Sequence, residues 1–281
     1  MKSSVTRTWY RIALARPSGG TALIAAQGEH LGEAIAAAER HVAGSRAIAV
    51  DLAGADVPLG DSVGKRHVVE LGDSDEREGL RWPRGVVPQL GHASALASAR
   101  RGWVVHPDPS LLVIEAQTEA DHLVDLFLGL LERLPAADNL EVRVLDHFGD
   151  VGKTDVWLTS RVNAKAILRF LDDREDELIH NGHVELSIYV RAHRATLRLT
   201  EHKTVVWLAD ERALEREITT WLGELGVPRV DALSRIASVP HFHYRLAKSR
   251  DRKKLGDELF RQRLRRVDTL PSRPALAPRE A

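Results

Sequence analysis

Short apolar stretches separated by turn residues open the chain and then give way to one helical pattern. Two apolar runs, at 9–14 and 21–24, flank a Pro-Ser-Gly-Gly sequence and predict a β-hairpin. Apolar side chains then recur at helical spacing over 31–42, and residues 47–50 have the pattern of a third strand. The pattern predicts a small ββαβ unit, to which we assign residues 1–75.

Glycine and proline interrupt this regularity in residues 76–110. So high a density of both residues is incompatible with a continuous helix or a central strand. We therefore expect a connector with at most one short helix, near Ala93–Arg100, and a domain boundary within it.

The clearest periodicity lies between residues 111 and 230. An apolar helix pattern covers 123–134, and apolar and polar residues alternate at 140–144 and 184–190. The order of elements is βαββαβββα, which is ferredoxin-like in its first six elements and typical of a mostly antiparallel sheet with helices packed on it. The sequence thus predicts an α+β protein whose main unit is 111–230.

Charge is concentrated near the end of the chain, in what we call the basic segment, residues 245–266. This segment has ten basic and three acidic residues in a chain that is neutral overall. Its apolar residues repeat at helical spacing, which predicts an amphipathic basic helix within 231–281, followed by a disordered tail. The residues predicted to bind a partner or nucleic acid are Arg250, Arg252, Lys253, Lys254, Arg261, Arg263, Arg265 and Arg266.

Composition excludes several classes of chemistry. The chain has no cysteine, so disulfide scaffolds, thiolate metal sites and cysteine nucleophiles are excluded. No apolar run reaches the length of a membrane span or of a signal peptide, and we expect a cytoplasmic protein with no membrane partner. Arginine outnumbers lysine by 32 to 8, a bias typical of GC-rich bacterial genomes.

One short motif indicates metal-dependent nuclease chemistry. Restriction-type nucleases place an acidic residue on one strand and Glu-x-Lys on the next, so that two carboxylates hold Mg²⁺ and the lysine orients the attacking water. Glu185, Glu201 and Lys203 match this pattern in part, between two predicted helices. The alternative interpretation is that residues 200–203 form a polar hairpin turn.

The histidines suggest a second kind of metal site. His241 and His243 would place both rings on one face of an extended segment, and His180 with His183 forms another close pair. Two imidazoles need a third ligand from elsewhere to hold a transition metal, and the sequence does not identify it.

These signals leave several functional hypotheses. The first is a non-enzymatic protein that acts by protein–protein contact, as an accessory or immunity-like component. The alternative is a Mg²⁺-dependent nuclease, or a nucleic-acid-binding protein that uses the basic segment to neutralise phosphates. Whether the chain is an enzyme stays open, and no cofactor is predicted.

Overall fold

A computed structural model gives the fold and describes residues 7–54, 67–145, 152–160, 162–210 and 212–271. Helices are mixed with antiparallel sheets, which confirms the α+β prediction. None of the described helices is long and apolar enough to cross a membrane. The disordered tail was predicted for residues 269–281, but residues 269–271 pair with residues 153–155 as part of a strand, and the rest of the tail lies outside the described residues.

Fourteen strands and five α-helices make up the described part of the chain. The strands are β1 Thr8–Ala15, β2 Thr21–Gly28, β3 Arg46–Leu52, β4 Val68–Asp73, β5 Val86–Pro88, β6 Gly102–His106, β7 Leu111–Gln117, β8 Asn139–Val144, β9 Lys153–Thr159, β10 Val184–Val190, β11 Ala195–Leu199, β12 Val205–Asp210, β13 His241–His243 and β14 Leu264–Pro271. The helices are α1 Leu31–His41, α2 Leu123–Arg133, α3 Ala164–Asp172, α4 Glu215–Glu224 and α5 Arg252–Arg261.

The N-terminal sheet has four antiparallel strands in the order β3-β1-β2-β4. Helix α1 covers it because Ile35 and Ala38 lie on one helix face and pack against Ile12 and Ile24 of the first hairpin. The ββαβ elements expected from the sequence are all present. Strand β4 adds a fourth strand beside β2.

The main sheet has eight strands in the order β14-β9-β8-β10-β11-β12-β7-β6. Alternate strand positions and the apolar faces of α2, α3, α4 and α5 form one buried cluster, centred on residues such as Phe127, Leu186 and Trp207. The intervening positions of the central strands are polar and include Glu141, Glu185 and Arg198. One face of the sheet is therefore core, and the other is available for polar chemistry.

The order of strands in this sheet does not confirm the ferredoxin-like detail of the prediction. The run βαββαβ is present from β7 to β10, but β11 and β12 lie between those two strands in the sheet. The 76–110 region also contributes β5 and β6 in addition to a short 3₁₀ turn at Ala93–Leu96. Strand β6 is an edge strand of the main sheet, and the backbone of Trp103 hydrogen-bonds to residues 228 and 230 there.

A two-stranded ribbon of β5 and β13 links the two sheets. His241 pairs with Pro88 and His243 with Val86, so the ribbon is antiparallel. Phe242 and Tyr244 point into the N-terminal core together with Val87. Because side chains alternate along a strand, His241 and His243 lie on the opposite face of β13.

The basic segment is a helix followed by a strand, which differs from the single helix expected over this region. Helix α5 ends at Arg261, Arg263 has a φ of 66°, and β14 then pairs with β9 along the edge of the main sheet. The apolar positions Leu255, Leu259 and Leu264 are buried in the main core. The segment therefore packs against its own molecule through its apolar side chains.

Candidate metal centre

The Glu201-His202-Lys203 sequence forms the turn between β11 and β12. The amide of Thr200 donates to the carbonyl of Thr204 (3.0 Å), and the amide of Lys203 donates to the carbonyl of Thr200 (3.0 Å). Lys203 has a φ of 62°, as the last residue of a three-residue hairpin loop commonly does. The turn geometry expected as the alternative for residues 200–203 is therefore observed, with His202 at its centre.

Lys203 is buried beneath this turn. Its side chain is 1% exposed, and its Nζ donates to the carbonyls of Asn181 (2.6 Å) and Val184 (3.1 Å). Burial lowers the pKa of Lys203 to about 7, although Glu201 and Glu185 oppose the shift. These bonds attach the hairpin turn to the start of β10, and they direct the amine towards backbone oxygens.

The two acidic residues expected to act together do meet. The carboxyl groups of Glu185 and Glu201 share a hydrogen bond, and Glu185 is 4% exposed. Burial raises the pKa of Glu185 to about 7, with Glu201 adding to the shift and Arg198, whose Nη2 lies 2.6 Å from Glu185 Oε1, opposing it. Glu185 is therefore partly protonated near neutral pH.

His241 and His243 point at each other from the same face of β13. The Nδ1 of His241 lies 2.7 Å from the carbonyl of Val239, and the Nδ1 of His243 lies 3.0 Å from the carbonyl of Gly182. A carbonyl oxygen only accepts hydrogen bonds, so both Nδ1 atoms carry the proton in these contacts. The two Nε2 atoms lie 3.1 Å apart, a distance that one shared proton or one bound cation can bridge.

His202 completes a triangle of imidazoles. The three ring centroids are 5.0–5.1 Å apart, and one ring nitrogen from each histidine lies within 4.8 Å of those of the other two. The Nδ1 of His202 lies 3.6 Å from Oε1 of Glu201. We call His202, His241 and His243 the three-histidine cluster. It is the one group of at least three metal-ligating side chains found this close together in the described part of the chain.

The donor set defines the metals that this cluster fits. Neutral imidazoles suit zinc, copper, nickel and iron and are poor ligands for magnesium. Three protein nitrogens leave at least one coordination position for water, as in catalytic zinc sites, whereas structural zinc sites have four protein ligands. All three rings are half-buried and not fully enclosed.

The sequence pattern missed His202 because it is an intervening residue in the Glu-x-Lys motif. It lies far from His241 along the chain and joins it only through the β10–β11–β12 meander and the β5–β13 ribbon. The pair predicted at His180 and His183 does not join the cluster. Burial lowers the pKa of His180 to about 4, which keeps this ring neutral.

Most of the basic residues predicted to bind a partner are paired with carboxylates of the same chain. Distances from their nitrogens to carboxylate oxygens are 2.9 Å for Arg250 to Glu177, 2.8 Å for Arg252 to Asp155, 3.2 Å for Lys254 to Asp251, 3.3 Å for Arg261 to Glu258 and 3.8 Å for Arg266 to Asp155. Lys253, Arg263 and Arg265 have no carboxylate within 4.0 Å among the described residues. Intramolecular ion pairs therefore neutralise much of the segment's charge.

No family model, curated protein or solved structure matches this chain. The functional argument therefore starts from the geometry of the three-histidine cluster.

Proposed function

We propose that the protein is a zinc-type metal-dependent hydrolase whose metal is held by His202, His241 and His243. The observation that supports this proposal is the 3.1 Å separation of two Nε2 atoms whose rings are each fixed through Nδ1 by a backbone carbonyl. Two Nε2 atoms at that distance either share a proton in a hydrogen bond or face a common cation. A divalent metal would replace that proton and bind both rings at once.

The surroundings of the cluster match those of metal-binding histidines. Such histidines almost always donate their second ring N–H to a backbone carbonyl, a carboxylate or water, which fixes the tautomer and the ring orientation. Val239 and Gly182 supply the carbonyls for the two histidines on β13, and Glu201 lies beside His202. The two histidines on β13 therefore have the orientation of ligands that bind a metal through Nε2, and the Glu201 carboxylate lies beside the third ring, 3.6 Å from Nδ1 of His202.

The open coordination position supports a hydrolytic role over a purely structural one. A zinc ion held by three imidazoles would lower the pKa of a bound water towards about 7 and so supply hydroxide at neutral pH. The Glu201 carboxylate lies beside His202, 3.6 Å from its Nδ1. Burial raises the pKa of Glu185 to about 7, which limits the negative charge next to the cluster.

Metal analysis combined with a hydrolysis assay tests this proposal. We expect chelator-stripped protein to take up about one zinc per chain with a dissociation constant below about 1 µM. Hydrolysis of p-nitrophenyl acetate or bis(p-nitrophenyl) phosphate should then require the metal. His243→Ala should weaken zinc binding by at least about 100-fold, since one of three ligands is lost.

The matched control for this experiment is His122→Ala, because His122 is an exposed histidine outside the cluster. This variant should bind zinc and turn over substrate like the unmodified protein. Failure to retain zinc would refute the metal site. Tight zinc binding with neither substrate hydrolysed would refute the hydrolase and leave a non-catalytic metal site.

We also propose a second function, contact with an acidic protein partner through the surface around the end of α5. Phe260 is 71% exposed and Val267 is 55% exposed, and they accompany the unpaired cations Lys253, Arg263 and Arg265. Exposed apolar residues beside unpaired charge are typical of protein contacts. Cross-linking mass spectrometry on cells should place cross-links at Lys253, and Phe260→Asp should remove them; cross-links unchanged in that variant would refute this proposal.

A further inference from the structure

A cavity lies between the N-terminal unit and the segments that surround it. It has a volume of about 460 Å³ and is bounded by α1, by residues 44–47, by residues 78–86 and by residues 244–248. Small-molecule sites typically have volumes of about 300–1,000 Å³ and often occur between structural units. The size and place of this cavity are therefore those of a ligand site.

The cavity is separate from the three-histidine cluster. Tyr244 lines the cavity, whereas His243 points away from the N-terminal core, from the opposite face of the same segment. A ligand in the cavity would therefore lie on the other side of β13 from the proposed metal.

Basic side chains dominate the charged part of the cavity wall. Six basic residues face four acidic ones, an excess of two positive charges: Arg16, Arg40, Arg46, Arg81, Arg84 and Lys248 against Glu39, Glu78, Asp121 and Asp176. Three of these basic side chains already have hydrogen-bond or ion-pair partners. Arg16 pairs with Asp73 (2.8 Å), Arg81 pairs with Glu78 (3.2 Å), and Arg46 donates to the carbonyl of Trp82 (2.6 Å).

Three cations remain without such partners. Arg40 at the end of α1, Arg84 in the 78–86 segment and Lys248 in the 244–248 segment have no carboxylate within 4.0 Å among the described residues. They come from three different walls of the cavity. With the excess of two positive charges on the wall, these exposed guanidinium and ammonium groups favour an anion in the cavity. Arginine suits phosphate because its donors match the geometry of phosphate oxygens.

The remaining wall is apolar and aromatic. Ile35, Val86 and Leu246 line the cavity, and the half-buried Trp82 lines it next to Arg81. A large aromatic side chain beside unpaired arginines suits a ligand that combines a planar ring with an anionic group.

We propose that this cavity binds a phosphorylated small molecule with a planar ring, the chemistry of a nucleotide. Arg40, Arg84 and Lys248 hold the phosphate groups, and the ring lies against Trp82. This site does not depend on the metal at the three-histidine cluster.

Calorimetric titration of the full chain tests this site, with ADP, pyrophosphate and adenosine as probes. EDTA is present throughout so that no metal bridges the probe to the histidines. We expect ADP to bind with a dissociation constant below about 100 µM at low salt, more tightly than pyrophosphate or adenosine. Arg40→Ala and Arg84→Ala should each weaken ADP binding by about 10-fold, since each removes a charged contact to phosphate.

Arg216→Ala is the matched control, because Arg216 is an exposed helical arginine on α4 with no carboxylate within 4.0 Å among the described residues. It should bind ADP like the unmodified chain. No binding of ADP at millimolar concentration, or equal affinities in the Arg40→Ala, Arg84→Ala and Arg216→Ala variants, would overturn the proposal. Pyrophosphate binding as tightly as ADP would overturn the assignment of a ring to Trp82.

Discussion

A methyl group added at Gly182 should damage the proposed metal centre without touching a ligand. A Cβ built on Gly182 would lie 1.9 Å from the carbonyl oxygen of Gly85 and 3.1 Å from the amide nitrogen of Tyr244. Ordinary carbon–oxygen contacts are about 3.3 Å or longer, so the two segments must separate by about 1.4 Å. In Gly182→Ala, residue 182 and the ribbon that carries His243 therefore cannot keep their present distance.

The expected loss of unfolding free energy in Gly182→Ala follows from the hydrogen bonds that cross this contact. The amide of Gly182 donates to the carbonyl of Tyr244 (3.0 Å), the amide of Tyr244 donates to the carbonyl of Gly85 (2.8 Å), and the carbonyl of Gly182 accepts from Nδ1 of His243 (3.0 Å). Each is worth about 1 kcal/mol net. Loss of two or three should lower the free energy of unfolding by about 2–3 kcal/mol and the melting temperature by about 4–12 °C.

Zinc affinity should fall with the stability, because the carbonyl of Gly182 orients His243. Loss of such an orienting partner typically costs about 10–100-fold in metal affinity. The assays are thermal unfolding in EDTA and zinc competition with a chromophoric chelator. Gly223→Ala on α4 is the control, since a Cβ there meets nothing within 4 Å and should if anything stabilise the helix. A Gly182→Ala protein with unchanged melting temperature and zinc affinity would refute this reasoning.

Three further predictions concern other parts of the molecule. Burial holds the pKa of His180 at about 4, against 6.5 in the unfolded chain, so the unfolded state binds the proton first as the pH falls. The contribution of His180 to stability is therefore full above pH 6.5 and is lost towards pH 4, with a loss of about 2 kcal/mol at pH 5. Urea titrations should find this pH-dependent loss removed in His180→Gln. Leu259→Ala should lower the free energy of unfolding by about 2–5 kcal/mol because Leu259 is 0% exposed. The neighbouring Phe260 is 71% exposed, so Phe260→Ala should change this free energy by less than about 0.5 kcal/mol. Equal losses in the two variants would contradict the packing of α5. If DNA or RNA binds through the basic segment, its five cations without an ion pair among the described residues (Arg245, Lys248, Lys253, Arg263 and Arg265) should give a slope of log K against log salt no steeper than about −4.5. Fluorescence anisotropy with a slope near −9 would show that the ion pairs do not hold their arginines.

The parts of the fold that depend on local periodicity were predictable. The alternation around 184–190 and the helix pattern around 123–134 correspond to β10 and α2 of the main sheet. A period of two also places His241 and His243 on one face of an extended segment, as in β13. Local pattern also gave the ββαβ order of the N-terminal unit.

Features that depend on strand pairing were not predictable. His202 becomes the third imidazole only because β11 and β12 form a hairpin beside the β5–β13 ribbon, and one sequence contains no sign of that contact. The basic segment illustrates the same limit. Its apolar spacing is helical up to Arg261, but β14 forms because β9 offers an edge at which residues 264–271 can pair.

The long-range ion pairs of the basic segment were equally hidden from the sequence, unlike the pairs three residues apart, Lys254–Asp251 and Arg261–Glu258. Glu177 and Asp155 lie far from Arg250 and Arg252 along the chain, and only the docking of α5 brings the charges within 2.9 Å and 2.8 Å. A local excess of positive charge therefore overstated the charge that is available to a partner.

The central claim is that three imidazoles hold one metal ion, and zinc K-edge X-ray absorption of the zinc-loaded full chain tests it most directly. The proposed centre predicts three imidazole nitrogens at about 2.0–2.1 Å with the multiple scattering of histidine rings, together with one lighter ligand from water. His243→Ala should lose one imidazole shell or the metal itself. A spectrum with one imidazole or none, or zinc that washes off the unmodified protein, would contradict the claim.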